Sequence, residues 1–397
     1  MKSNTPEISG DLMLIRAVIR INFIALAVFW FAFGSLAFAG GTDHEKRLRA
    51  LEDKYESKLA VLNILERFSV KGDFRLRYQF DQIDRAGTNT LDRSRVRLRF
   101  RLGSNIHLYK DLDIGFRMST GGLGNQTSTN ATLDGGFGYK AFDLDRAFVK
   151  WNPKPFTLKG GKFAVPFMKS QLIWDSDVNI EGISEQFSKS LGNTHLKLVL
   201  GQFIIDEFNP GDDIKLFAYQ GIVEQQTGVG KFILALAYYD YADHEDPTTA
   251  PTGATATLNT QSEVKVLNLM GQWSTSVHGR PLTIFAEYAK NTGTLAPGQS
   301  DLDTAWHAGF AYGKAGQKFG DWALRVFYRV VQTEAVLDLF TDSDFHNGLN
   351  NSRGVKVGAT IGLRKGIKLA LTYFNTREER GPRDEQQKFQ SDLVFKF

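Results

Sequence analysis

Between Asp92 and Leu102 the chain alternates without a break: Arg93, Arg95, Arg97, Arg99 and Arg101 take every odd position, and Val96, Leu98, Phe100 and Leu102 take the even ones. A period of two is that of a β-strand, whose successive side chains point to opposite faces. On a helix these arginines would spread around the whole circumference. One face of this strand is therefore cationic and the other is hydrocarbon. Such a strand has two homes. In a soluble sheet the apolar face meets a dry core and the arginines meet bulk water. In a transmembrane barrel the apolar face meets lipid and the arginines line a wet interior.

The rest of the chain beyond residue 68 repeats the alternation. In Val70–Phe80, the residues Val70, Gly72, Phe74, Leu76, Tyr78 and Phe80 share one face, against Lys71, Asp73, Arg75, Arg77 and Gln79. Leu112–Met118 sets Leu112, Ile114, Phe116 and Met118 against Asp113, Gly115 and Arg117. Further strands are predicted near 141–151, 156–163, 182–188, 195–203, 213–224, 231–241, 262–273, 282–290, 304–313, 321–332, 354–364, 366–375 and 387–397. That makes about sixteen strands, most near the ~10 residues that a tilted strand needs to cross a bilayer. No motif recurs at a period of about 40 residues, which argues against a propeller.

The connections point the same way. Long ones (81–91, 119–140, 164–181, 204–212, 242–261, 291–303, 333–353 and 376–386) alternate with short ones such as Asn152–Pro155, Gln225–Gly230 and Lys365. An outer-membrane barrel has long loops outside and short periplasmic turns; a soluble sandwich has no reason to alternate them. Aromatic residues collect at both strand ends. Tyr78, Phe80, Tyr238, Tyr239, Tyr241, Tyr288, Trp306 and Tyr373 fall near the long loops, while Trp151, Trp273, Trp322, Phe395 and Phe397 fall near the short turns. They predict two interfacial girdles.

Ahead of the barrel, Arg16 and Arg20 precede the apolar run Ile21–Phe33, and Ala37-Phe38-Ala39 follows. Basic flank, apolar core and A-x-A make residues 1–39 a secretory signal cleaved before Gly40, with Met13 as a candidate true start. An uncleaved anchor is the competing reading. Residues 40–67 are charged, with Leu48, Leu51, Tyr55, Leu62 and Leu65 at heptad positions broken by Lys58. They predict a short periplasmic helix, either an oligomerising coiled coil or a solvated amphipathic helix.

Composition removes several functions. There is no cysteine, hence no disulfide framework or thiolate metal site, and a net charge of +4 is too small to imply nucleic acid. The 31 Phe and 38 Gly against 10 Pro suit a lipid-facing sheet with crowded aromatics. The seven histidines are scattered, without H-E-x-x-H or G-x-S-x-G patterns. His346 beside Asp342 and Asp344 is the one cluster of hydrolytic type, and it sits on a long loop whose composition explains it equally well. The glycine-rich stretch Gly121–Gly138 lacks a Walker lysine. No enzymatic activity and no cofactor are expected.

The end of the chain, Phe389 to Phe397, alternates apolar residues and closes on phenylalanine. It looks like the terminal strand that outer-membrane barrels present to their assembly machinery. Gly161-Lys162-Phe163-Ala164-Val165-Pro166-Phe167, followed by Leu172-Ile173-Trp174-Asp175-Ser176-Asp177-Val178-Asn179-Ile180-Glu181-Gly182, resembles a family of bacterial outer-membrane porins through its G-[KR]…P-F and W-D-x-D…E-G segments. The resemblance implies passive diffusion of small hydrophilic solutes through a sixteen-stranded barrel in the bacterial outer membrane, in contact with its lipid, and assembly as a homotrimer like the general porins. It also implies that loop 164–181 folds into the lumen, carrying Asp175, Asp177 and Glu181. Facing them would be Arg93, Arg95, Arg97, Arg99 and Arg101, with Arg75, Arg77 and Arg117 on neighbouring strands.

Opposed rows of charge create a field across a narrow pore, and the excess of arginine predicts a mild anion preference. In a second reading the arginines pair with Asp73, Asp113, Asp143 and Asp145 and simply neutralise the wall. Asp175 and Asp177 are two carboxylates, too few for a Ca²⁺ site, and no metal is expected. The classes competing with a diffusion channel are an outer-membrane barrel enzyme and a soluble or surface-attached β-protein with a binding role.

Overall fold

The computed structural model describes residues 45–55, 65–85, 90–122, 124–208, 212–243, 262–381 and 384–397. The signal segment, Lys58 and Leu62 lie outside these residues. Residues 45–55 are helical, with Leu48, Leu51 and Tyr55 all exposed. This helix belongs to a unit separate from Arg67–Phe397.

The second unit is a closed antiparallel barrel. Its first strands are β1 (Phe68–Asp84), β2 (Thr90–Tyr109) and β3 (Leu112–Thr120), followed by the two-residue β4 (Ala131–Thr132). β5 (Phe142–Trp151), β6 (Phe156–Ala164), β7 (Asn179–Leu191), β8 (Thr194–Asp206), β9 (Ile214–Thr227) and β10 (Gly230–Ala242) come next. β11 (Val264–Val277), β12 (Arg280–Asn291), β13 (Thr304–Gly313), β14 (Trp322–Val331), β15 (Ser352–Arg364), β16 (Ile367–Glu378) and β17 (Glu385–Lys396) complete the ring. β1 pairs with β2 on one side and β17 on the other, so no edge remains. β4 stands apart from the sixteen: it pairs with β2 at Arg97 and Leu98, just beyond Arg101, where β3 stops. Every predicted strand is present, including the weakly patterned 182–188, which lies within β7.

Burial along these strands is the reverse of that in a soluble protein. On β1 and β2, Leu76 is 39% exposed and Val96 47%, whereas Arg77 is 5% and Gln79 1%. Leu198, Leu234, Leu236, Leu267 and Ile284 are likewise exposed. An apolar outer surface this continuous is stable against hydrocarbon and not against water. Most of the aromatic girdle follows: Tyr78, Tyr288, Trp306, Trp151, Trp322 and Phe397 are exposed. Tyr239 and Tyr241 correct that expectation, because they face inward and are buried. Consecutive side chains alternate faces, so of Tyr238-Tyr239 only Tyr238 can look outward.

The ring is sealed at the C-terminus. Phe397 and Gly72 exchange backbone hydrogen bonds at 2.9 and 3.1 Å. The Phe397 ring lies where a side chain on residue 72 would stand: a Cβ there would be 2.5 Å from the ring and 2.7 Å from the Arg101 carbonyl oxygen. The ring could turn aside, but the carbonyl belongs to the ladder and cannot. Gly72→Val is therefore expected to cost about 1–3 kcal/mol or more and to lower the yield of folded, heat-modifiable barrel on cold gels. A normal yield would mean that the closing strand tolerates displacement.

Candidate functional site: a lumen crossed by interlocked loops

The segment 165–178 between β6 and β7 does not stay at the rim. The Met168 amide donates to Gln220 on β9 at 2.7 Å, and Gln220 donates back to the Met168 carbonyl at 2.9 Å. Gln171 accepts from Lys356 on β15 at 3.0 Å, and Asp177 meets Arg101 on β2 at 3.1 Å. These three strands stand far apart around the ring, so the segment must cross the lumen to touch all of them. Its apolar residues explain why it stays there. Phe167 packs edge-on against Tyr239 at 5.5 Å, and Trp174 packs against Tyr239 at 5.7 Å and stacks on Phe340 at 5.5 Å. With Leu172, Ile173 and Val178 these residues form an apolar core inside the barrel, which includes the inward residues of β8 to β14.

Phe340 belongs to the segment 332–351 between β14 and β15, which enters the lumen as well. Its short 3-10 turns are Asp338–Phe340 and His346–Gly348. The Asp175 amide donates to the Phe340 carbonyl at 2.6 Å, and the Asp342 amide donates to Gln171 at 3.3 Å. The Ser343 amide and hydroxyl both donate to the Asp175 carboxylate, at 3.0 and 3.1 Å. A third loop joins them: the Thr129 amide and hydroxyl donate to Asp177, and the Ser343 hydroxyl reaches the Thr127 carbonyl.

The two inserted loops carry the same device. Asp175-Ser176-Asp177 and Asp342-Ser343-Asp344 each fold so that the first carboxylate accepts from the amide two residues on, at 2.9 and 3.2 Å. The four carboxylates then meet different neighbours. Asp177 faces Arg101 at 3.1 Å and Arg99 at 3.9 Å. Burial would raise its pKa, but Arg99, Arg101 and Arg75 outweigh that and hold it low. Asp344 faces Arg77 at 3.1 Å; burial opposes its charge, and Arg77, Lys388 and Lys356 hold it low. Asp342 lies 2.9 Å from Lys356 and 3.7 Å from Arg329. Asp175 is different, since burial and then the charges of Asp342 and Asp177 push its carboxyl up to about 7.

The arginine wall is internally neutralised over much of its length. Asp73 bridges Arg99 and Arg101, each at 2.7 Å. Asp392 accepts from Arg77 at 2.7 and 2.9 Å and lies 3.8 Å from Arg75. Asp81 takes Arg95 at 2.9 Å, and Asp145 takes Arg117. Arg97 reaches Gln79 at 3.5 Å, and Arg93 is exposed beside the first long loop.

The family model described as "Putative porin" matches residues 84–280 and 260–397, which together cover well over half of the chain. The chain belongs to this porin family. No curated protein matches it in sequence. Among solved structures, the barrel is similar to Pseudomonas putida OprB at high pH, with a TM-score of 0.56 and 13% identity over 85% of this chain and 96% of that one. It is also similar to Salmonella typhi OmpF in complex with daunomycin (TM-score 0.50, 10% identity, 83% and 97% covered). An anion-selective porin from Comamonas acidovorans gives a TM-score of 0.50 at 12% identity over 83% of this chain and 100% of that one. At such identities the likeness is one of fold.

In this porin the residues singled out from sequence fall into distinct groups. Arg99, Arg101, Asp175 and Asp177 come together, with Arg75 and Arg77 close by. Arg95 and Arg117 are taken up by Asp81 and Asp145 in the wall itself. Glu181 departs from expectation: it is exposed and pairs with Lys162 on the outward face of β6 and β7. The physical reason is parity, since Ile180 opposite Phe163 already occupies the inward position. The hydrolytic cluster separates as well, because the His346 imidazole lies 3.2 Å from the Thr376 hydroxyl while the two aspartates hold cations. Asp342, Ser343 and Asp344 were visible in sequence only as that cluster. The repeated Asp-Ser-Asp in two long loops was the signal that could have joined them to Asp175 and Asp177.

Proposed function

We propose that this porin is a passive outer-membrane diffusion channel for small hydrophilic solutes that favours anions. The observation that carries the preference is the charge left over once the ion pairs are drawn. Arg97, Arg146, Lys159, Lys197 and Arg325 sit on inward strand positions, and among the described residues none has a carboxylate within 4 Å. The loop carboxylates Asp177, Asp342 and Asp344 are already engaged by cations, and Asp175, pushed up to about 7, is partly protonated at neutral pH. Unpaired charge on the wall of a confined aqueous path concentrates the opposite ion. Purified protein in a planar bilayer under a KCl gradient is expected to show a reversal potential on the chloride side. A clear potassium preference would sink the anion reading, and the absence of any conductance would sink the channel.

A further inference from the structure

Beside the inserted loop the lumen keeps a pocket of about 340 Å³, lined by Lys169 and Trp174 from the loop and by Arg325, Phe327 and Arg329 from β14. Its volume falls at the lower end of the ~300–1,000 Å³ range of small-molecule sites. The decisive feature is Arg329. The side chain is 2% exposed, yet among the described residues its Nε and Nη2 donate to nothing; only Nη1 approaches a carboxylate, Asp342 at 3.7 Å. A buried guanidinium with two idle donors is costly. Nε and Nη2 are the edge of the guanidinium that can grip a carboxylate through two parallel hydrogen bonds; both are covered in this structure, where the Phe327 and Phe345 ring centroids lie 5.1 and 4.8 Å from the guanidinium, so a ligand reaches them as a neighbouring side chain moves aside.

The surroundings supply the rest of a carboxylate site. Arg325, four residues from Arg329 along β14 toward the short-turn end and on the same face, is exposed to the lumen and has no ion pair among the described residues; its guanidinium lies 4.3 Å from the centroid of the Phe285 ring. Lys169 adds a third cation, spending one hydrogen bond on the Asp175 carbonyl at 3.2 Å. The apolar walls are Phe327, over which Arg329 lies at 5.1 Å, and Trp174. Cations stacked on aromatic rings in a small pocket suit an anion with a hydrocarbon body better than chloride or sulfate.

We infer that this pocket is a binding site for small organic carboxylates with an apolar body, a station at which such solutes dwell while crossing the lumen. The inference rests on the channel reading for its role in transport, but not for binding itself. Two measurements keep them apart. Equilibrium dialysis of labelled benzoate against the detergent-solubilised barrel reads the site alone. Benzoate titration of the bilayer current reads the site within the channel.

Wild type is expected to bind benzoate saturably and benzyl alcohol not at all. Arg329→Gln should raise the half-saturating benzoate concentration about 10- to 100-fold, since it removes a charged, bidentate partner. Arg329→Lys, which keeps the charge and loses the fork, should fall between. Arg325→Gln, at an exposed position without ion pairs, should weaken binding even if the Arg329 variants fail to fold. Binding with no conductance would uphold the site and overturn the channel. Salt conductance with non-saturable benzoate uptake, or benzoate affinity unchanged in Arg325→Gln, would overturn the site and leave the channel standing.

Discussion

Truncation of Trp174 to alanine is expected to raise single-channel conductance and make it noisy, while leaving the barrel intact. Trp174 is 1% exposed and touches both anchors of the lumen core, Tyr239 on the wall and Phe340 on the second inserted loop. Removing a buried tryptophan typically costs about 3–5 kcal/mol. Here the loss falls on segment 165–178, since the ladders from β1 to β17 do not use the indole. A loop weakened by that amount spends more time away from its seat, and the path it blocks opens. Single-channel recording reads the conductance, and heat-modifiable migration on gels reads the barrel. A quiet, unchanged current would show that the polar contacts of Asp175, Asp177 and Gln220 hold the loop without aromatic packing.

The second large effect is a pH dependence centred on Asp175. Its pKa in the folded protein is pushed up to about 7 from an ordinary 3.8. The folded state therefore binds a proton that the unfolded chain has given up at the same pH. A neutral Asp175 sits comfortably beside Asp342 and Asp177; an ionised one adds a third negative charge to a buried cluster in which Lys356, Arg99 and Arg101 already pair with carboxylates and Lys169 is held on the Asp175 carbonyl. Contact between the two inserted loops is then strongest below about pH 4 and is lost progressively as pH rises from there to about 7, by a difference on the order of a few kcal/mol. Asp344 runs the other way: its folded pKa is held low, so its contribution is present above its ordinary range and is lost in acid. Amide exchange at Ser343 and Asp175, corrected for its intrinsic base-catalysed rate, should accelerate between about pH 4 and 7, and Asp175→Asn should abolish that step while keeping loop contact at high pH. A step that survives in the asparagine variant would assign it to another group.

Much of this architecture was legible in residue order. The Arg93–Arg101 alternation defines an amphipathic strand whatever surrounds it, and the alternation of long and short connections tells a spanning barrel from a sandwich. Even β7, with its weak pattern, fell among the sixteen predicted strands. The girdle residues Tyr239 and Tyr241 show the limit of such reading. Near a strand end, neighbouring aromatics look alike in sequence, and only parity relative to the ring decides which of them meets lipid.

What sequence alone determined is the local and periodic part: strand, face, turn and the sign of the wall, because each depends on neighbours within a few residues. Tertiary structure alone decided which charges cancel and which remain. Arg99 and Arg101 find Asp73 across one strand and Asp177 across the lumen, Arg77 finds Asp392 at the far end of the chain, and Glu181 turns outward to Lys162. Closure of the ring and insertion of two distant loops bring these partners together, and a spacing of more than 300 residues, as between Arg77 and Asp392, leaves no trace in local pattern. The idle donors of Arg329 belong to the same class, since which donors go unpaired among the described residues is decided only once every neighbour is in place.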